Sequence, residues 1–271
     1  MSKLPRYTTT EKLVGETPLV SLERVREKLK LSCTVPLAYA GRLDPMASGK
    51  LLILIGDECK VQEKYHAFDK EYEVEILLGV RSDSGDVLGL VTSGPSTVIT
   101  EESVQHILRS NIGNIKLPYP HFSSKTVKGK PLHTWALENK LSEIEIPVKE
   151  STIHRLSYTG LRTVSKEEML KAIRTKIETI PKVTDERKAL GADFRREDVR
   201  ASWDDIERNT EKSYQILSFT CIASSGTYMR SLGEKIAQDL GTTGLAYSIH
   251  RTKIGKYLSL TKNLGFWIKQ F

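Results

Sequence analysis

Asp44 lies in the run Gly41-Arg42-Leu43-Asp44-Pro45-Met46-Ala47-Ser48-Gly49, which fixes one carboxylate in a stiff turn just ahead of an apolar stretch. Pro45 fixes its own φ and biases Asp44 toward extended geometry, while Gly41 and Gly49 let the backbone bend or approach a partner closely. A carboxylate held this way is pre-positioned to act on a ligand, although Asp-Pro in a glycine-flanked loop is also the composition of an ordinary turn. A second group of interest is Gly226-Thr227-Tyr228-Met229-Arg230. If that segment stays extended before its helix begins, Tyr228 and Arg230, two apart, project to one side. A third is Tyr72, on an alternating segment where a core aromatic is the plainer reading.

The elements that must position these groups follow from periodicity. Leu51 to Ile55 is apolar at every position, as in a strand covered on both faces, so Asp44 is expected at the mouth of a packed core. Lys70 to Val80 alternates, with Tyr72, Val74, Ile76 and Leu78 facing inward. Ser82 to Asp86 reads as a turn, with Val87 to Val91 as the hairpin partner. Helices are expected over Leu22 to Leu31, capped by Ser21, over Glu101 to Ser110, over Leu132 to Glu138, and from the Gly226 motif through Leu240. Strands are expected over Pro147 to Tyr158, Ser213 to Ala223, Leu245 to Ile249 and Ile254 to Leu260. Between about Arg162 and Lys212 the chain becomes densely charged and helical, with a capping box at Ser165 to Glu168, and reads as an inserted helical arm. Strands and helices without regular βαβ alternation give an α+β class with a mixed, mainly antiparallel sheet flanked by helices.

With 271 residues, 39% hydrophobic and 28% charged, the chain can bury a full core. No apolar stretch approaches the roughly 18 residues that cross a bilayer, and a basic segment leading into an apolar one is lacking at the N-terminus, so a cytoplasmic protein is expected. Cys33, Cys59 and Cys221 are too widely spaced for a disulfide framework or a zinc knuckle. Net charge is +7, and acidic residues are missing between Glu102 and Glu138 and after Asp239. The first gap carries Arg109, Lys116, Lys125, Lys128 and Lys130 among Tyr119, His121, Phe122, His133 and Trp135; the second carries Arg251, Lys253, Lys256, Lys262 and Lys269. Cations for phosphates and flat rings for bases are the two components of a nucleic-acid surface, while solvated basic faces are the bland alternative.

The Asp44 run, Lys70-Glu71-Tyr72, Leu78-Gly79 with Ser82, Ser84, Asp86 and Gly89, and Gly226 to Arg230 together resemble the motifs of the TruB family of tRNA pseudouridine synthases. Phe122-Ser123-Ser124 with Gly129 to Leu132, and Gly241 to Gly255 with His250-Arg251-Thr252, add weaker matches, so the likeness covers about residues 12 to 260 in order. It implies a pseudouridine synthase fold over residues 1–260, a tail over 261–271 without a PUA-type domain, and isomerisation of uridine in the T-arm loop of tRNA. It further implies Asp44 as the catalytic aspartate, Arg230 as its paired arginine and Tyr72 as the tyrosine that stacks on the base and moves a proton. Tyr39, Gly41, Arg42, Leu43, Tyr228, Lys125, Lys128, Lys130 and Arg251 are the expected substrate contacts. Apolar walls from Leu43, Ile76 and Leu78 are expected to keep water out. An isomerisation requires no cofactor and no metal; the expected partner is tRNA, and a monomer is expected.

The chain departs from the family pattern at Tyr39, where bacterial members usually carry a histidine, at Thr126 in place of a lysine, at His133 in place of a tyrosine and at Ala223 in place of a cysteine. Two other readings share the basic surfaces: an RNA-binding chaperone that refolds tRNA without chemistry, and an RNA N-glycosidase, which needs an activated water for which no second acid or base is assigned.

Overall fold

The computed structural model describes residues 4–95, 97–182, 192–261 and 264–271, with the side chains of 192–194 also left aside. Lys262 of the second basic gap, and part of the expected helical arm, lie outside the described residues. In chain order the first half comprises β1 (Tyr7–Lys12), α1 (Pro18–Lys28), β2 (Leu37–Ala40), β3 (Ser48–Ile55), α2 (Glu63–His66), β4 (Asp69–Leu78), β5 (Val80–Ser82), β6 (Val91–Ser93), α3 (Glu101–Ser110) and β7 (Gly113–Pro118). The remainder comprises β8 (Thr126–Val127), β9 (Lys130–Pro131), α4 (Leu132–Leu137), β10 (Val148–Ser165), α5 (Lys166–Thr179), α6 (Ala192–Arg208), β11 (Ser213–Ala223), α7 (Met229–Asp239), β12 (Gly244–Ser259) and β13 (Gly265–Gln270).

Nine strands form one sheet in the order β1-β3-β12-β4-β11-β10-β7, with β2 added on β3 and β13 on β12. Among the described strands every pairing in this sheet is antiparallel except that of β3 with β12, where His250 and Arg251 lie parallel to Ser48 and Gly49. The class is therefore α+β with a mixed, mainly antiparallel sheet. Leu51 to Ile55 of β3 are at most 3% exposed, which accounts for the unbroken apolar run. β4 holds the centre, between β11 and β12, and its Val74, Ile76 and Leu77 join the main core.

Several element boundaries differ from the sequence reading for local reasons. α1 begins at Pro18, and Thr17 is its cap, accepting the Val20 N–H at 3.3 Å; Ser21, expected to be the cap, is buried inside the helix. β5 pairs with β6 rather than with a strand over 87–91. β10 runs on through Ser165, so residues 162–165 are strand, not helix. Ser165 then caps α5 by accepting the Glu168 N–H at 3.1 Å. The two segments expected over 245–249 and 254–260 are one strand, β12, whose bulges at Ala246/Ser248 and Arg251/Lys253 break the alternation. Within the expected tail, β13 extends the sheet, and Phe271 packs on Tyr65 and Phe68.

The charged insertion does not project from the body. Met169, Leu170, Ile173 and Ile177 of α5 and Val199, Trp203 and Ile206 of α6 are buried in the main core cluster. Many of their charged residues occupy the opposite faces, where Arg174 pairs with Asp204 and Glu207 and Arg200 with Glu178 and Glu197.

Candidate active site

The loop between β2 and β3 carries Asp44 and is clamped from both sides. From β12, Arg251 donates to the carbonyls of Lys50 at 2.7 Å, Gly41 at 3.2 Å and Arg42 at 3.3 Å. On the other side, Lys12 donates to the Ala47 carbonyl at 2.5 Å, and the Gly15 N–H to the Pro45 carbonyl at 2.9 Å. Both cations are fully buried, and each satisfies backbone oxygens that a loop inside the core would otherwise leave unpaired. Gly49 sits where φ is +111° and an added Cβ would lie 2.4 Å from the Arg251 carbonyl oxygen, so only glycine allows this approach. Leu43, Met46 and Ala47 are buried, while the Asp44 carboxylate is 37% accessible.

Arg230 meets that carboxylate from α7. Its Nε lies 2.9 Å from Asp44 Oδ2, in an ion pair whose angle falls outside a good hydrogen bond. The rest of the guanidinium is held by two loops: Nη1 donates to the Ser84 carbonyl at 2.7 Å, and Nη2 to the Phe122 carbonyl at 3.3 Å. Asp86 Oδ2 stands 3.7 Å from Nη1, while its Oδ1 accepts from the Ser84 hydroxyl at 2.8 Å and the Leu88 N–H at 2.9 Å. Burial alone pushes the Arg230 guanidinium down, but Asp44, Asp86, Tyr228 and Glu234 more than offset it, so it stays charged. Burial pushes the Asp86 carboxyl up, opposed by Arg230. Glu234, one turn along α7, is raised to about 7 by burial, with Arg230 opposing and Asp86 adding to the rise.

Two cavities meet at this pair. The larger, about 1280 Å³, is lined by Tyr39, Gly41, Arg42, Leu43, Tyr72 and Tyr228 among others, together with Asp44 and Arg230. Burial pushes the Tyr72 phenol up, while the neighbouring Arg251 guanidinium pulls it back. Tyr228 packs edge-on against Tyr119 with centroids 5.4 Å apart, and its phenol is raised by burial and by Asp44. The smaller cavity, about 250 Å³, has an apolar wall from α5 and α6, including Ile177 and Val199, and shares Asp44, Ser123 and Arg230 with the first.

The expected set Asp44, Tyr72, Arg230, Tyr39, Gly41, Arg42, Leu43 and Tyr228 thus lines one cleft. Several expectations need correction. α7 starts at Met229 with Tyr228 as its cap residue, so the Gly226 segment is not extended through Arg230, yet both side chains still reach the cleft. Arg251, expected to bind substrate, also lines this cleft, but it is wholly buried and donates to the backbone carbonyls that hold the Asp44 loop. Ile76 and Leu78 lie in the core rather than on the cleft; Met229 and Ile249 line it with Leu43. Outside the cleft lining, Lys130 pairs with Glu138 at 2.7 Å and Lys128 donates to the Glu143 carbonyl at 3.1 Å, while exposed Lys125 sits 5.3 Å from the Tyr119 ring. Lys12 and Glu234 carry no local sequence signal of a place at the site. The Ser82-Ser84-Asp86 spacing was visible, but its turn composition gave no sign that Asp86 is buried against Arg230.

A solved structure described as a Cbf5-Nop10-Gar1 complex shares this architecture, with a TM-score of 0.54 over 92% of this chain and 48% of that one, at 14% identity. The likeness is one of fold, and the fold is that of the pseudouridine synthases. The chain belongs to the TruB family: the family model for the TruB family pseudouridylate synthase (N terminal domain) matches residues 28–179. Curated relatives include the tRNA pseudouridine synthase B of Caldicellulosiruptor saccharolyticus, 26% identical over 91% of this chain and 66% of the relative. That of Bacillus licheniformis is 33% identical over 55% of this chain and 47% of the relative. The matches span between about half and two thirds of the length of these relatives.

Proposed function

We propose that this protein is a tRNA pseudouridine synthase that isomerises uridine in the T-arm loop, at the position usually numbered 55. The Asp44–Arg230 pair at 2.9 Å, set in a cleft that also presents Tyr72, is the observation that carries this reading. A uridine stacked in an RNA loop has to be flipped out to reach Asp44, at a cost of a few kcal/mol that stacking on Tyr72 offsets. Asp44 promotes cleavage of the N1–C1′ bond. The detached base turns, C5 bonds to C1′, C5 gives up its proton and N1 gains one, so no atom enters or leaves overall.

Arg230 keeps a carboxylate tolerable beside RNA phosphates. Tyr72, like any tyrosine, is a neutral phenol at neutral pH, and burial raises it further; serving as the base for the C5 proton requires stabilising its phenolate, and Arg251 is the cation placed to do so. Leu43, Met229 and Ile249 exclude water that would hydrolyse the opened intermediate. Tyr39, Gly41, Arg42 and Tyr228 contact the flipped nucleotide, Lys125 contributes to backbone affinity, and no cofactor takes part. The test is tritium release from C5-labelled uridine in tRNA. Wild-type protein should release label stoichiometrically with pseudouridine, and Asp44→Asn should release none while still binding tRNA; release at the wild-type rate by Asp44→Asn would overturn the assignment.

A further inference from the structure

Two loops that are distant in sequence hold the Arg230 guanidinium, one through the Ser84 carbonyl and the other through the Phe122 carbonyl. Neither loop is a regular element where it meets Arg230, and each needs something to fix it. Arg195 of α6 touches both. Its Nη1 lies 2.6 Å from Asp83 Oδ2 and its Nη2 3.3 Å from Asp83 Oδ1, a two-point contact to the residue before Ser84. The same guanidinium lies over the Phe122 ring, 4.3 Å from its centroid. Arg195 is also one of the few non-glycine residues at positive φ, +58°, a strained backbone that persists only where surrounding contacts over-determine it.

The rest of α6 braces the first of these loops. The Trp203 indole, fully buried, donates to the Val87 carbonyl at 3.1 Å, and the Ser202 hydroxyl accepts the Val91 N–H at 3.1 Å. Asp83 in turn accepts the Leu90 N–H at 2.9 Å, closing the loop on itself.

We propose that Arg195 is a positioning residue: by tying Asp83 to the Phe122 ring it locks the two carbonyls that orient Arg230, and so sets Arg230 against Asp44. The charged insertion is then a brace for the reacting pair. This rests on the pseudouridine synthase reading for its kinetic readout, and a second readout is independent of it.

Arg195→Ala, Arg195→Lys and Trp203→Phe are compared with wild type, with Arg200→Ala on the exposed face of the same helix as control. Expected are a single-turnover rate of pseudouridine formation at least 10-fold lower for Arg195→Ala, a Kd for tRNA within about 2-fold of wild type, partial rescue by Arg195→Lys, and no change in Arg200→Ala. Trp203→Phe, which keeps an aromatic ring but loses the N–H and some volume, should also lower the rate without moving Kd. Independently of activity, arginine-selective NMR should show the Arg230 Nε–H exchanging with solvent at least 10-fold faster in Arg195→Ala. A wild-type rate, or a loss confined to Kd, in Arg195→Ala would overturn the proposal, as would unchanged Nε–H exchange; if Arg195→Ala fails to fold, Arg195→Lys and Trp203→Phe decide by the same criteria. Absence of pseudouridine with the wild type instead strikes the functional reading, leaving the NMR comparison to judge the brace.

Discussion

Asp44 and Arg230 form a pair whose two members bear different structural burdens. Arg230 is 4% exposed and neutralises Asp86 as well as Asp44, whereas Asp44 keeps 37% of its side chain accessible. Removing Arg230 leaves a carboxylate buried without its counter-ion, so Arg230→Met should lower stability by about 3–5 kcal/mol in urea denaturation. Asp44→Asn should stay within about 1 kcal/mol of wild type, because water screens the lost charge. Equal losses for the two variants would show that Arg230 is not the buried hub. Arg230→Lys keeps the charge but loses the planar fork that reaches Ser84, Phe122 and Asp44 together, and should cut turnover by roughly 100-fold with little effect on tRNA affinity; wild-type turnover in that variant would argue that charge alone suffices.

The elements around the pair act mainly as clamps. Gly49→Ala forces a Cβ into the Arg251 backbone at a positive φ, and should destabilise the protein by about 1–3 kcal/mol while displacing the Asp44 loop. Unchanged melting and activity would contradict the tight β3–β12 approach. A pH test belongs to α5, where burial lowers Lys176 to about 8 as its ammonium sits over the Tyr247 ring and donates to the Tyr247 carbonyl. The unfolded chain holds that proton up to roughly pH 10.4. Between about pH 8 and 10 the unfolded state therefore binds more protons, and stability relative to Lys176→Met should rise with pH by up to about 1.4 kcal/mol per unit. A flat or falling difference would show that Lys176 is not held below its ordinary range. At this scale the sequence was readable where the signal is local. Proline, glycines and the apolar run announced the Asp44 loop, and alternation announced β4 with Tyr72. The burial of Arg251 was not legible because a cation in an acid-free segment looks like surface, while its partners Gly41 and Arg42 are some 200 residues away. Bulges hid the continuity of β12. The charge density of α6 masked Val199, Trp203 and Ile206, whose spacing does follow a buried helical face.

For the whole molecule, the basic gaps are less uniform than composition suggests. Lys130 is paired with Glu138, Lys116 with Glu150 and Lys253 with Glu71, whereas the exposed Lys125 ammonium lies over the Tyr119 ring. Lys125→Ala should lower the slope of log Kd against log salt by roughly 0.7–0.9, and Lys130→Ala by clearly less, because its charge is already compensated. Equal changes in slope would restore the view of a uniform cationic face.

The most direct test of the account is to map pseudouridine in tRNA lacking the modification after incubation with wild-type protein and with Asp44→Asn. The account predicts conversion of a single T-arm-loop uridine by the wild type and none by Asp44→Asn at equal tRNA occupancy. Conversion that persists without the Asp44 carboxylate, or wild-type binding that leaves every uridine unchanged, would contradict it.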